Sequence, residues 1–164
     1  MISRDEFVSR FGGVYEHSSF IAERAFDRGL IREPLTATGV DQALAAVFRA
    51  AHEDERLGVL RAHPDLAGKL AIAGELTEES RREQAGAGLD RLSPEEHAEF
   101  TKLNSAYIDK YKFPFIIAVS GLDKDDILSA FRQRIDNSAA VELETACAEV
   151  EKIAGLRLRH MLAE

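Results

Sequence analysis

Ser93-Pro94-Glu95-Glu96-His97-Ala98-Glu99-Phe100-Thr101-Lys102-Leu103-Asn104-Ser105-Ala106-Tyr107 is the stretch that decides the fold class. Ser93 supplies an N-cap oxygen. Pro94 takes the first helical position, where its missing N–H costs nothing, and Glu96 stands where it can bond back to the cap. Phe100, Leu103 and Tyr107 then recur at helical spacing as the expected buried stripe. The same pattern repeats along the chain. Ser3 with Glu6 opens a helix over Phe7, Val8 and Phe11 that Gly12-Gly13 ends. Ser18 or Ser19 can open a second through Ile21, Ala22 and Ala25. Asp41 can cap a third, with Leu44, Val47, Phe48 and Ala51 on its apolar face. A further segment carries Leu57 and Leu60 and stops at His63-Pro64, because a proline disfavours helical geometry in the residue before it.

Thr77, with Glu78 and Glu79 behind it, starts a helix whose first-turn acids suit the helix dipole. Asp123 caps one bearing Ile127, Leu128, Phe131 and Ile135. The last runs from about Ala139, with Leu143, Cys147, Val150, Ile153 and Ala154 expected inside. The stretch from Leu30 to Gly39, holding Pro34, reads as a loop. Phe113-Pro114-Phe115-Ile116-Ile117-Ala118-Val119 is the exception: its periodicity suits a short buried strand, yet no second strand is evident to pair with it. The expectation is an all-α, single compact multi-helix domain over residues 1–164, with an extended segment or a buried helix start near 113–119.

Composition narrows the function. With 29 acids against 21 bases the net charge is −8, which argues against nucleic acid as a partner, since phosphate binding needs a basic footprint. An anionic small molecule remains open, because one Arg can reverse the potential within a cleft. The single cysteine, Cys147, rules out an internal disulfide and reads as a packing residue. No apolar run reaches membrane-spanning length, and Met1-Ile2-Ser3-Arg4-Asp5-Glu6 lacks the apolar core of a signal peptide. The C-terminal Met161-Leu162-Ala163-Glu164 is not a peroxisomal address, so cytoplasm is the expected location.

Two polar clusters could carry chemistry. His63-Pro64-Asp65-Leu66-Ala67-Gly68 sets an imidazole, which titrates near neutrality, outside a helix. One short helix later, Ser80-Arg81-Arg82-Glu83-Gln84 puts Ser80, Glu83 and Gln84 on one helix face. Taken singly, His63 has the commoner fate of a helix-end histidine bonding the last carbonyls, and Glu83-Gln84 that of a solvated face. Their combination points to an acid–base site. His17, His52, His97 and His160 have no second His or Cys at ligand spacing, so no metal is expected. Arg157 falls on the apolar stripe of the last helix, where a guanidinium needs an acidic partner or a bound anion, unless it snorkels from the helix end. Arg132-Gln133-Arg134 reads as an exposed basic turn. Phe113, Phe115 and Ile117 suit either a pocket wall or ordinary core. No Gly-rich phosphate loop, nucleophile elbow or Cys pair is present, which leaves cofactor-free catalysis or plain binding.

The chain resembles the 2-oxo-4-hydroxy-4-carboxy-5-ureidoimidazoline (OHCU) decarboxylase family of urate degradation over nearly its whole length. The resemblance is carried by Phe11-Gly12-Gly13-Val14-Tyr15-Glu16, His63 to Ala67, Ser80 to Gln84 with Ala87-Gly88-Leu89, Leu103 to Tyr107, Lys112 to Ile117, Arg134 to Asn137 and Leu156-Arg157-Leu158. It implies an all-helical, commonly dimeric enzyme that needs no metal or organic cofactor and converts OHCU, an anionic small molecule, to (S)-allantoin. His63 corresponds to the family's acid–base residue. Its substrate contacts fall on Pro64, Ser80, Glu83, Gln84 and the backbone of Phe115, Ile116, Ile117, Ala118 and Val119. A C-terminal Arg of the family matches Arg157, with Arg134 the other candidate for the substrate's negative charge. Lys112 departs from the pattern, standing where many relatives have Gly. Two other classes stand beside this one: a helical binding module without catalysis, marked by an exposed apolar groove, and a cofactor-free lyase or hydrolase of a related ureide.

Overall fold

The computed structural model describes the backbone of residues 1–164 and the side chains of all of them except 69 and 70. The chain divides into two units, residues 1–62 with 150–164, and residues 63–149. Among the described residues no strand forms. Among the same residues no helix is long and apolar enough to cross a membrane.

The first unit holds α1 (Arg4–Phe11), α2 (Phe20–Asp27), α3 (Ala37–Ala50), α4 (Glu53–Arg61) and the later part of α9 (Ala139–Met161). The Ser3 hydroxyl accepts from the Glu6 N–H at 3.1 Å and starts α1 as its sequence implies. α1 packs on α2 and α2 on α3. Phe7 and Phe11 anchor the first contact, their rings 4.9 Å apart, with Phe26 of α2 at 5.8 Å from Phe7. Ser19 is the residue before α2, but its hydroxyl bonds the Glu23 carboxylate rather than a backbone N–H. Asp41 does not cap α3. The helix begins earlier, where the Thr36 hydroxyl accepts from the Gly39 N–H at 3.0 Å, and Asp41 lies inside it. Thr36 offers the same capping oxygen, and no proline in the next turn stops the helix from starting there.

The second unit holds α5 (Lys69–Ile72), α6 (Glu78–Gly86), α7 (Pro94–Tyr111), α8 (Lys124–Arg134) and the start of α9. The α7 capping box is formed in full: Glu96 N–H to Ser93 Oγ at 3.1 Å and Ser93 N–H to Glu96 Oε1 at 2.8 Å. Asp123 caps α8 in the same reciprocal way with Asp126. The aromatic core lies between α7, α8 and the 113–119 segment. Phe115 stacks on Phe131 at 3.9 Å, and Tyr107 meets both edge-on. The 113–119 segment is neither helix nor strand.

Three side-chain placements differ from expectation. On α7, Leu103 is half-buried and Asn104 takes the buried position between Phe100 and Tyr107. On α9, Glu142, Ala146, Val150, Ala154 and Leu158 are buried, while Leu143, Cys147 and Ile153 are only half-buried. Arg134 is not an exposed turn residue but 9% exposed, because it follows Ile127 and Phe131 on the inward face of α8.

Candidate active site

The histidine loop is the better-defined part of the site. His63 follows the end of α4 and is 7% exposed. The loop closes tightly. Ala67 adopts a left-handed conformation at φ 52°, uncommon for a residue with a Cβ. Gly68 is required, since a Cβ there would stand 2.6 Å from the Asp65 Cβ. Three side-chain bonds hold this backbone. Gln84 Oε1 accepts from the Ala67 N–H at 2.9 Å, and Gln84 Nε2 donates to the Asp65 carbonyl at 3.2 Å. Asn104 Nδ2 donates to the Leu66 carbonyl at 2.9 Å.

α6 delivers Gln84 to this task because of how it starts. The Thr77 hydroxyl accepts from the Ser80 N–H at 3.2 Å, setting the helix phase. That phase turns Ser80 and Gln84 inward, at 4% and 5% exposure, leaves Glu83 half-buried, and sends Arg81 and Arg82 to solvent. Arg81 there pairs with Glu78. Of the three residues expected beside the His63–Ala67 loop, Gln84 bonds its backbone directly. An amide has two acceptor positions and two donor hydrogens, so Gln84 keeps capacity for a ligand while holding the loop.

The 115–119 backbone is held from a different side. Arg134 Nη1 donates to the Ile116 carbonyl at 2.6 Å, and its guanidinium lies 4.4 Å over the Phe115 ring. Arg134 Nε donates to Glu142 at 2.9 Å. Glu142, fully buried, also accepts from the Tyr107 hydroxyl at 2.6 Å and from Asn137 Nδ2 at 3.0 Å. Burial and the Glu142 carboxylate push the Tyr107 hydroxyl pKa well up, so Tyr107 stays a donor in this network. Glu149 accepts from the Ala118 N–H at 3.1 Å. The Phe115 side chain is core, not pocket wall. Among the described residues, no protein group accepts from the Ile117 or Val119 N–H. Two backbone donors left open in a largely buried segment are suited to a polar ligand.

In the first unit, Arg157 is 5% exposed and does not snorkel. Its Nη2 donates to Glu16 Oε2 at 2.9 Å, and Glu16 is itself 2% exposed. The acidic partner that the sequence required is Glu16, which helical periodicity around Arg157 could not reveal. Asn104, Glu142 and Glu149 were also missed as supporting residues. A signal existed for Asn104: it lies four residues after Phe100 and three before Tyr107, a polar residue on an apolar stripe.

Comparison with known proteins bears on what this arrangement serves. A family model described as OHCU decarboxylase matches residues 1–159. A 2-oxo-4-hydroxy-4-carboxy-5-ureidoimidazoline decarboxylase of Halalkalicoccus jeotgali is 41% identical over 159 residues, covering 96% of this chain and 86% of that protein. One from Bos taurus is 36% identical over 160 residues, covering 97% and 92%. Among solved structures, an OHCU decarboxylase in the presence of (S)-allantoin superposes with a TM-score of 0.71 at 26% identity, covering 90% of this chain and 94% of that one. An (S)-allantoin synthase gives 0.78 at 29% identity, covering 98% of this chain, which spans about half (51%) of that longer chain. Matched along nearly all its length in sequence and in fold, the chain belongs to the OHCU decarboxylase family.

Proposed function

We propose that this protein catalyses the cofactor-independent decarboxylation of OHCU to (S)-allantoin in urate degradation. The observation that carries this is the family match over residues 1–159. The clamped, buried His63 loop supports it from the side of chemistry.

The reaction balances as follows. The bond to the carboxylate breaks, and its electron pair forms a double bond between the hydroxyl-bearing and the ureido-bearing ring carbons. The imine electrons move to the ring nitrogen, which takes up a proton. The hydroxyl then loses its proton as it becomes a carbonyl, and the ureido-bearing carbon gains one on a single face. Carbon dioxide leaves and one proton is consumed overall.

His63 is the group assigned to these proton transfers, and its fixed position selects the face. Glu83 orients His63 or binds the ureido and ring N–H groups. Ser80, Gln84, Pro64 and the backbone from Phe115 to Val119 orient the ring, with the open Ile117 and Val119 N–H groups as donors to it. Arg157, whose guanidinium pairs with Glu16, is the residue assigned to the substrate's anionic charge, with Arg134, whose Nη2 has no hydrogen-bond partner among the described residues, the other candidate. On the same reading the protein works in the cytoplasm as a homodimer, which light scattering on the purified protein tests.

The deciding experiment generates OHCU in situ from urate, with urate oxidase and hydroxyisourate hydrolase, and follows the circular dichroism of allantoin. Rapid appearance of one enantiomer, lost in His63→Ala with the helical far-UV spectrum intact, is the expected result. Racemic allantoin at the spontaneous rate, or near-parental turnover by His63→Ala, would overturn it.

A further inference from the structure

We infer that Asn104 is a positioning residue for this reaction: with Gln84 it sets the backbone of residues 65–67 and, through that backbone, the place of the His63 imidazole. The inference rests on the decarboxylase reading and extends it to a residue remote in sequence from both polar clusters. Three consecutive residues of the loop each receive one side-chain amide bond: Asp65 O and Ala67 N from Gln84, Leu66 O from Asn104. The two amides arrive from different helices, α6 and α7. The clamp therefore fixes position as well as orientation, and Ala67 is held at φ 52°, a conformation that a Cβ disfavours.

Stability alone does not account for the choice of residue. Asn104 is 5% exposed, and among the described residues its Oδ1 has no hydrogen-bond partner. A buried acceptor without a partner costs free energy that an apolar side chain on this stripe, between Phe100 and Tyr107, would not incur. What Asn104 supplies is the Nδ2 donor to the Leu66 carbonyl. A general acid–base group is effective only when held close to its target, so a looser loop lowers kcat more than substrate binding.

The test compares the parent protein with Asn104→Asp and Asn104→Ala. Asn104→Asp keeps the shape and removes the donor, and its carboxylate then faces a carbonyl. When protonated, the same carboxyl can donate to the Leu66 carbonyl again. We expect kcat to fall roughly tenfold or more near neutral pH in both variants, with KM changed by less than about threefold. On acidification the ratio of Asn104→Asp to parental kcat should climb, while that of Asn104→Ala stays flat. A general loss of structure would not give that pH-dependent rescue. Amide hydrogen exchange should quicken at Ala67 in both variants while α7 retains its protection. If both variants keep kcat within about twofold of the parent, or the Asn104→Asp ratio is flat with pH, the positioning role is refuted. Absence of OHCU turnover by the parent is the separate result that removes the decarboxylase reading, and this role with it.

Discussion

Lys112 holds φ 67° and ψ 22°, a left-handed conformation, at the end of α7. There the chain leaves the helix for the Phe113–Val119 segment. The Lys112 N–H still donates to the Ile108 carbonyl at 2.8 Å, so the helix closes as it would around a glycine. A glycine in place of Lys112 would therefore change the cost of this turn rather than its course. A Cβ in left-handed geometry costs about 1–2 kcal/mol, part of which glycine gives back as unfolded-chain entropy. Lys112→Gly should raise stability by about 0.5–1 kcal/mol in urea unfolding, with OHCU turnover unchanged. A loss of stability would mean that the interactions Lys112 makes are worth more than the strain. At this scale the sequence marked the candidate residues, because His63, Ser80, Glu83 and Gln84 sit in short, distinctive clusters. It hid their supports. Glu16, Asn104 and Glu149 lie far along the chain from the groups they hold, and their partners are backbone atoms or a distant guanidinium. Arg134 was hidden differently: two neighbouring polar residues made it read as surface, although Ile127 and Phe131 already marked its face as inward.

The elements themselves were largely legible, because caps are local chemistry. Ser3, Thr77, Ser93 and Asp123 each accept a backbone N–H where the sequence implies a helix start. Asp41 failed because the chain offers two capping side chains within one turn and a half, and the earlier one, Thr36, started the helix first. α9 shows a limit of another kind. Weighing its residues by size favours Leu143, Cys147 and Ile153. The buried row instead steps by four through Glu142, Ala146, Val150, Ala154 and Leu158, with both alanines fully buried. Small residues let a helix approach a core already filled by aromatic rings, and nothing in the helix's own sequence says that the neighbours are large. Ala154→Leu tests this. Burial at 0% exposure leaves no room for three added carbons without displacement of neighbours. A loss of about 1–3 kcal/mol in unfolding free energy is expected. At half-buried Ile153 the volume-conserving Ile153→Leu should cost less than about 1 kcal/mol. Equal losses at the two positions would contradict this register for α9.

Across the whole molecule, charge is arranged so that acid should weaken the fold. Arg24 beside Glu55 holds that carboxyl at about 2, below its ordinary 4.5. Arg4 lowers Asp27, Lys124 lowers Glu96, Arg81 lowers Glu78, and Thr38 with Arg159 lowers Glu164. Each of these groups binds its proton more weakly folded than unfolded. Each contribution is therefore complete above the unfolded value and is lost as pH falls through the folded one. For Glu55 the window runs from about 4.5 down to about 2. Asp41 acts in the opposite sense: burial raises its pKa, so its ionised form opposes folding and protonation relieves it. Five lowered carboxyls against this one set the sign of the sum. The melting temperature should hold steady from neutral pH to about pH 5 and then fall steadily. Because the pairs are solvent-accessible, raising the salt to about 0.5 M should flatten that fall. Arg24→Gln should remove the part belonging to Glu55, lowering the neutral plateau by that contribution and giving a shallower acid limb, with the most acidic end of the curve little changed. A melting temperature that rises between pH 4.5 and 3 would mean that the Asp41 effect, or relief of the −8 net charge, outweighs the surface pairs.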